Sequence, residues 1–443
     1  MVADALFAKN LVKFEEEFAM KGWKKLGLAA MAAIAMLTLS SCGSGNASSA
    51  SKDGKITIEF MHWGGTDTYK GVYQKRIAAF EKANPKIKVK VITVGDNYDT
   101  KLLTMVAGNK APDVAQVAED GTGFASKNAF ISLDSYIKDN NMDLQKTYGN
   151  GSDLYKWKGH VFGIPDRGGA GVLYYNKDIF DKAHMAYPND KWTINDFYRA
   201  AKKLTKRDKK GNITQWGTSY ADYQAAWGSF MMTNGGSLVK NGKATVDSPQ
   251  NLKTFTDYTK NFKSSSISYQ TAEDGVNRFQ QGKVAMTLDG MWWILGNSQV
   301  KGLNFDIAPM PGKYSWSTGS ALTISRQSDK AHRAASWKFI KFMTDVKAQK
   351  ILGASLGDIP ANMKVLEDPG FIKQKITGKT YDLATIAKDQ KKVKIDGIFR
   401  GPWYSEAITE CTNEVKEMLL GHQTPKQSID NLQAKVRAIL NKY

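Results

Sequence analysis

Tryptophan and carboxylate side chains follow several predicted strands of this 443-residue chain, at the points where those strands end. Trp63 ends the first predicted strand and Asp67 follows it, and Glu119 and Asp120 come after the third. A carboxylate accepts hydrogen bonds from hydroxyl groups, and an indole ring offers a flat apolar face. Because open α/β sheets bind ligands at the ends of their strands, these residues are candidates to bind a hydroxyl-rich ligand. The alternative for each acid is a solvated loop position.

Two consecutive tryptophans end the stretch FQQGKVAMTLDGMWW, residues 279–293. Phe279–Gln281 is predicted to end a helix, and Gly282 is a suitable C-cap because glycine tolerates the left-handed conformation found there. Val284–Leu288 is an apolar run of strand length, and Asp289–Gly290 predicts a turn. A helix end, a strand and a turn in this order would place Trp292 and Trp293 at one end of a sheet. The alternative is that both indole rings are core anchors.

The pattern F-x-x-G-K-V-A-M followed by D-G-x-W resembles a segment of the extracellular solute-binding proteins of bacterial ABC sugar importers. Three further motifs are similar to that family: E-x-x-N-P-x-I-x-V from Glu81, A-G-x-x-A-P-D-V from Ala107 and L-Y-Y-N-K-D-I-F from Leu173. The resemblance covers residues 20–443. It implies a two-lobed α/β fold of the periplasmic-binding-protein type. Each lobe would be a mainly parallel sheet flanked by helices, with a hinged cleft between the lobes.

The resemblance implies a binding protein and not an enzyme. It would capture a carbohydrate, with an oligosaccharide favoured, and deliver it to the permease subunits of an ABC transporter. A monomer without cofactor or metal is expected. The expected ligand-binding residues are Trp63, Asp67, Glu119, Asp120, Asp166, Tyr223, Trp227, Asp289, Trp292, Trp316 and Trp403. For Asp166 the alternative is an ordinary β-turn, and for Trp227 it is a core position.

Strand and helix patterns alternate along the first part of the chain. Lys55–Trp63 and Ile87–Val94 read as strands, and a third strand begins after Ala111. Tyr69–Lys82 and Tyr98–Gly108 between them have the apolar spacing of helices. This βαβαβ order predicts a parallel sheet, since parallel strands need crossover connections.

The chain is expected to cross between the two lobes three times, near Pro165–Gly169, Trp316–Gly319 and Gly357–Asn362. Helix Ala331–Thr344 is expected to be core, including Trp337. The expected segments are an upstream extension (1–19), a lipoprotein signal peptide (20–41), a flexible tether (42–54), lobe 1 (55–165), lobe 2 (166–317), a return to lobe 1 (318–362), and a return to lobe 2 with the C-terminal helices (363–443).

The N-terminal region has the parts of a bacterial lipoprotein signal in order. Met20–Lys25 is basic, Leu26–Leu39 is apolar but shorter than a membrane span, and a small-residue segment then reaches Cys42. We expect export, cleavage before Cys42, lipidation of its thiol and anchoring to the outer face of the cytoplasmic membrane. The alternative is a free cysteine after an uncleaved anchor. Ser44–Lys52 has the composition of a flexible tether.

Residues 1–19 contain nothing that a secretory signal needs. Glu15–Glu17 would be encoded by a purine run just before the Met20 codon, which is typical of a ribosome-binding site. We therefore expect Met20 to be the translation start.

Composition is that of a soluble globular protein, with 42% hydrophobic and 24% charged residues. The formal charge of +19 would suit nucleic acid, but the lysines are scattered and no nucleic-acid-binding motif is present, so we expect no nucleic acid partner. A basic exported protein can equally be adapted to an anionic cell envelope. The two cysteines, Cys42 and Cys411, and five scattered histidines suggest neither a disulfide framework nor a metal cluster.

A secreted glycoside hydrolase is the alternative from another class. It would need two carboxylates facing one sugar ring. The sequence leaves this open for Asp67, Glu119, Asp120, Asp166 and Asp289. A third hypothesis for the function is a lipid-tethered adhesin or sensor partner that works without an importer.

Overall fold

The computed structural model describes residues 54–64, 67–95, 97–219, 224–265, 277–355 and 358–443. The expected signal peptide, Cys42 and Tyr223 lie outside these residues, and so does the side chain of Asp67. The strands are β1 (Ile56–Trp63), β2 (Ile87–Val94), β3 (Val114–Val117), β4 (Lys156–Trp157), β5 (His160–Val161), β6 (Gly163–Asn176), β7 (Lys206–Arg207), β8 (Ile213–Thr218), β9 (Val239–Lys240), β10 (Lys243–Ala244), β11 (Val284–Gly290), β12 (Phe305–Pro309), β13 (Ser315–Ile324) and β14 (Val393–Lys394).

The α-helices follow in chain order, and two 3₁₀ helices cover Gly149–Tyr155 and Gly397–Arg400. The α-helices are α1 (Asp67–Ala83), α2 (Tyr98–Ala107), α3 (Gly121–Ser126), α4 (Asp134–Asp139), α5 (Leu144–Tyr148), α6 (Lys177–Lys182), α7 (Ile194–Leu204), α8 (Gln224–Thr233), α9 (Pro249–Ser265), α10 (Trp293–Ser298), α11 (Lys330–Met343), α12 (Val346–Ser355), α13 (Met363–Leu366), α14 (Pro369–Ile372), α15 (Ala384–Lys392), α16 (Tyr404–Leu420) and α17 (Pro425–Leu440). Within the described ranges, none of these helices combines the length and apolarity needed to span a membrane.

The N-terminal part of the large sheet has the predicted βαβαβ order. Strand β1 lies between β2 and β3 and is parallel to both, with Phe60 opposite Val91 on one side and Val114 on the other. Helix α1 buries Phe80 completely. The parallel sheet and the helix between β1 and β2 are therefore confirmed.

Strand β6 joins this part of the sheet to the remainder. Its residues Gly163–Ala170 pair antiparallel with β13, which also pairs antiparallel with β3. Its residues Gly171–Asn176 pair antiparallel with β11 and β12, and β11 pairs parallel with β8. The sheet is thus parallel in its β2-β1-β3 portion and antiparallel where β6 passes through it.

Three segments of backbone meet at the middle of β6. Gly168 lies opposite Gly319, and its N–H donates to the carbonyl of Ile359 at 2.9 Å. A Cβ atom on Gly168 would come within 2.7 Å of the Pro360 carbonyl oxygen. Only glycine permits this approach. These are the segments expected to cross between lobes, and the domain boundaries themselves stay predictions.

The hydrophobic core of the first part is built from aromatic contacts between β1, α1 and α11. Phe339 lies 5.1 Å, centroid to centroid, from both Phe60 and Phe80. Trp337 is buried and packs on Tyr136 with a centroid separation of 5.0 Å. The predicted core position of Trp337 is therefore confirmed.

The segment before β11 differs from its prediction. Phe279–Gln281 lies in a turn and not at a helix end, with the Gly282 N–H donating to the Phe279 carbonyl at 2.9 Å. Gly282 has the left-handed φ of 70° that closes this turn. Asp289–Gly290 belongs to β11 and pairs with Val172 and Gly171, so the predicted turn is wrong and the chain turns after it.

Candidate functional site

A cavity of about 450 Å³ lies where β1, β3, β6 and β13 approach one another. Volumes of this order accommodate small-molecule ligands. Its lining includes Trp63, Glu119, Arg167, Trp292, Ser320 and Asp358. We call it the first cavity.

Trp63 is fixed at the end of β1 by contacts on its backbone and ring. Its N–H donates to Gln116 Oε1 at 3.3 Å, and its ring lies 4.1 Å from that of Tyr98, centroid to centroid. The guanidinium carbon of Arg167 is 5.9 Å from the Trp63 ring centroid. An indole held this way presents a stiff apolar surface, which loses little entropy when a ligand binds.

Arg167 joins the polar side of the first cavity. It donates from Nη1 to Asp358 Oδ2 at 2.7 Å and from Nε to Ser320 Oγ at 3.1 Å, and it also bonds Gln116 Oε1. Burial raises the pKa of Asp358, although the positive charge of Arg167 opposes that rise. The arginine and its carboxylate therefore balance each other's charge, and the cavity wall offers oriented polar groups without a surplus cation.

Glu119 follows β3 and is partly buried at the cavity. Its Oε1 accepts a hydrogen bond from the Gly319 N–H at 3.2 Å. Burial raises its pKa to about 7. A carboxyl group with this pKa offers either an acceptor pair or a hydroxyl donor near neutral pH.

Trp292 stands in the turn between β11 and α10. A Cβ atom on Gly290 would come within 2.0 Å of its ring, so the indole lies directly over the backbone at that glycine. The ring lines the first cavity. The cavity therefore brings together three expected residues, Trp63, Glu119 and Trp292, whose contact with a ligand stays a prediction.

Asp289 is not among the residues lining the first cavity. Its Oδ1 accepts from the Gly290 N–H at 2.6 Å, its side chain also bonds Trp293, and burial raises its pKa to about 6. Trp293 itself is 45% exposed, so the core alternative for that residue is wrong.

Asp166 is placed in the interior and not at the cleft. Its carboxylate forms a buried ion pair with Arg76, accepts from Tyr73 Oη at 3.0 Å and from Gln349 Nε2 at 3.3 Å. Successive side chains of a strand point to opposite faces, so Arg167 and not Asp166 reaches the cavity. The expectation that Asp166 faces the cleft is corrected accordingly.

Trp227 and Trp316 are core residues in this structure. Both are 0% exposed, and their rings pack with centroids 5.6 Å apart. A Cβ atom on Gly228 would come within 2.2 Å of the Trp316 ring, so the helix itself seals that indole. Neither ring has a face available to a ligand, which corrects their placement at the cleft.

Asp120 and Trp403 lie away from the first cavity. Asp120 hydrogen-bonds Asp99, and burial raises the pKa of Asp120 to about 7. Trp403 lines a different cavity, described below. Asp67 begins helix α1, but its side chain and all of Tyr223 fall outside the described residues, so these expectations are untested.

Sequence reasoning missed Arg167, Ser320 and Asp358. A signal for Arg167 was present, because it follows Asp166 directly in an expected crossing segment, and consecutive residues of an extended segment face opposite sides. Asp358 lies in an expected crossing segment, but its pairing with Arg167 spans 191 positions and has no local signature. Within the ranges described above, no three side chains of the metal-binding types come together to hold an ion.

Residues 64–350 match the family model of bacterial extracellular solute-binding proteins. The chain belongs to this family. A multiple sugar-binding protein of Streptococcus mutans is 25% identical over 363 residues, covering 75% of this chain and 81% of that protein. An arabinooligosaccharide-binding protein of Bacillus subtilis is 27% identical over 236 residues, covering 52% of this chain and 53% of that protein, about half its length.

Solved structures share the architecture. The substrate-binding protein Lmo0181 of Listeria monocytogenes, in complex with cycloalternan, superposes with a TM-score of 0.75 at 25% identity, covering 87% of this chain and 99% of that one. The sugar-binding protein MalE of Xanthomonas citri superposes with a TM-score of 0.76 at 21% identity, covering 87% and 98%. The expected two-lobed α/β fold class is confirmed.

Proposed function

We propose that this protein captures a carbohydrate in the first cavity and delivers it to the permease of an ABC importer. The observation that carries the proposal is the pairing of two indole rings, Trp63 and Trp292, with a charge-balanced polar wall. A sugar has apolar C–H faces and a hydroxyl rim. The indole faces would cover the former, and Glu119, Arg167 and Ser320 would bond the latter.

The names of the relatives support a sugar of more than one unit. Among those reported above, one is named as an arabinooligosaccharide-binding protein and one is in complex with cycloalternan, whereas the Streptococcus mutans protein is named only as a multiple sugar-binding protein. We therefore propose an oligosaccharide as the ligand.

Binding without hydrolysis is favoured by the arrangement of carboxylates. A hydrolase needs two carboxylates facing one sugar ring. In the described part of the cavity, Asp358 is bound to Arg167, and Asp166 is sequestered by Arg76 in the interior. Glu119 remains as the carboxylate with capacity for a ligand.

Calorimetry against neutral mono- and oligosaccharides, with chromatography of the recovered sugar, tests this proposal. We expect saturable binding of at least one oligosaccharide and its return intact. Release of shorter products would favour the hydrolase, and failure of the whole panel to bind would contradict carbohydrate capture.

We further propose that the exported protein is a monomer anchored through lipid on Cys42 to the outer face of the cytoplasmic membrane. A diacylated cysteine supplies two chains, and stable anchoring takes two signals. Replacing Cys42 by Ala should release the protein into the medium. Continued membrane retention of that variant would overturn the anchor.

A further inference from the structure

A second cavity, of about 600 Å³, lies between the β9–β10 hairpin, the segment that follows β14 and the start of α16. Lys240 comes from the hairpin, Lys394 ends β14, Arg400 ends a 3₁₀ helix and Trp403 precedes α16. The second cavity shares no lining residue with the first.

The acid that lines the second cavity, Asp396, is already satisfied by neutral donors. Its carboxylate accepts from Ser237 Oγ at 2.7 Å and from the backbone N–H groups of Leu238 at 3.1 Å, Val239 at 3.2 Å and Ile398 at 3.0 Å. These bonds tie the hairpin to the 3₁₀ helix and bury the carboxylate. Asp396 therefore acts as a structural acceptor and leaves the cations of this cavity without a carboxylate partner.

The three basic side chains of the second cavity carry a net positive charge. Lys240, Lys394 and Arg400 are exposed, and none of them makes an ion pair within the described part of the chain. Lys394 Nζ lies 4.4 Å from the Tyr314 ring centroid. Arg400 Nη1 donates to the Asp153 carbonyl at 3.0 Å, and the other N–H groups of its fork leave room for a further acceptor.

Trp403 adds a flat face. A Cβ atom on Gly401 would come within 2.4 Å of its ring, so the backbone at Gly401 covers one side of the indole. Its Nε1 is buried and has no hydrogen-bond acceptor among the described residues. This N–H is closed off from solvent, so the indole offers a ligand its face and not its donor.

We propose that the second cavity binds a saccharide unit that carries an anionic oxygen group, a carboxylate or a phosphate. The indole face matches the apolar side of a sugar ring, and the three cations match the oxygen anion. The cavity volume suits one or two sugar units. Since the two cavities share no residue, this inference stands independently of the function proposed for the first.

Calorimetry at low ionic strength tests the inference on the full chain with three probes. These are α-1,4-digalacturonate, its neutral counterpart α-1,4-galactobiose, and inorganic phosphate. The measurements are repeated in a Trp292→Ala background, so that binding in the first cavity is weakened. We expect digalacturonate to bind in both backgrounds and its affinity to fall as salt is added.

Removing two cations by Lys240→Gln with Lys394→Gln should lower digalacturonate affinity on the order of tenfold, as expected for two exposed charges. Lys243→Gln is the matched control, because Lys243 lies on the same hairpin but outside the cavity lining. Its affinity should equal that of the parent. Thermal melts confirm that each variant folds.

Three results would overturn the inference. Digalacturonate could fail to bind, or bind equally well after both lysines are replaced. Galactobiose could bind as well as digalacturonate in the Trp292→Ala background, in which case charge is not recognised. Phosphate could bind while digalacturonate does not, in which case the site is not one for a saccharide.

Discussion

Two ion pairs begin on consecutive residues of β6 and have opposite settings. Asp166 pairs with Arg76, with both side chains fully buried, whereas Arg167 pairs with Asp358 at the wall of the first cavity, with 13% and 9% of the side chains exposed. Because side chains alternate along the strand, one pair lies in the core and the other at the wall of the first cavity. Adjacent charged residues can therefore serve stability and binding separately.

Breaking the interior pair should give the largest effect. Arg76→Ala leaves the Asp166 carboxylate buried without its cation, which costs about 3–5 kcal/mol of unfolding free energy. Chemical denaturation measures this, with Lys88→Ala as control, because Lys88 belongs to an exposed pair and its loss costs about 0–1 kcal/mol. Equal losses in the two variants would contradict a special role for the interior pair.

Breaking the cavity pair should affect both properties. Arg167→Ala removes the N–H groups that donate to Asp358 and Ser320. It should cost roughly 1–3 kcal/mol of unfolding free energy. This is less than for Arg76→Ala, because the cavity admits water. Sugar affinity should fall as well. A variant with unchanged affinity would show that the arginine only supports the fold.

Removing an aromatic face should affect binding alone. Trp292→Ala should weaken oligosaccharide binding by roughly 1–3 kcal/mol, taken from aromatic stacking on other flat ligands, with little loss of stability. Trp337→Ala is the matched control: it lies in the core and should cost about 3–5 kcal/mol of stability without changing affinity in the folded protein. Unchanged affinity in Trp292→Ala would remove it from the site.

A separate expected effect concerns Glu119 and pH. Burial raises its folded-state pKa from 4.5 to about 7, so the native state holds a proton that the unfolded chain releases. The contribution of Glu119 to the free energy of unfolding therefore falls as pH rises from about 4.5 to 7. The free energy of unfolding of Glu119→Gln, minus that of wild type, should therefore increase as pH rises across that range. Denaturation at each pH measures this difference. A difference that is independent of pH would contradict the raised pKa.

The sequence predicted elements whose signals are local. The βαβαβ order follows from nearby residues, and the structure contains it. Helix α8 also carried a usable signal for Trp227, because A-A-W-G-S-F-M-M is apolar on every side, which is typical of a buried helix.

The site was less predictable because long-range pairing decides it. The face of β6 that meets the cavity depends on its register with β13, which begins about 150 residues later. Gly168 and Gly169 in β6 and Gly319 in β13 have no side chains. The sequence there therefore shows no alternation of buried and exposed residues. Asp358 joins the wall only after three distant segments have met.

The same pairing has a consequence for biosynthesis. Val114 in β3 pairs with Ile324 in β13. The part of the large sheet that contains β3 therefore stays incomplete until some 210 further residues have left the ribosome. At about 5–20 residues per second, that takes roughly 10–40 s. A chain that is threaded through a membrane channel must not have folded first. A strand that arrives so late would keep the nascent chain open long enough for translocation to begin.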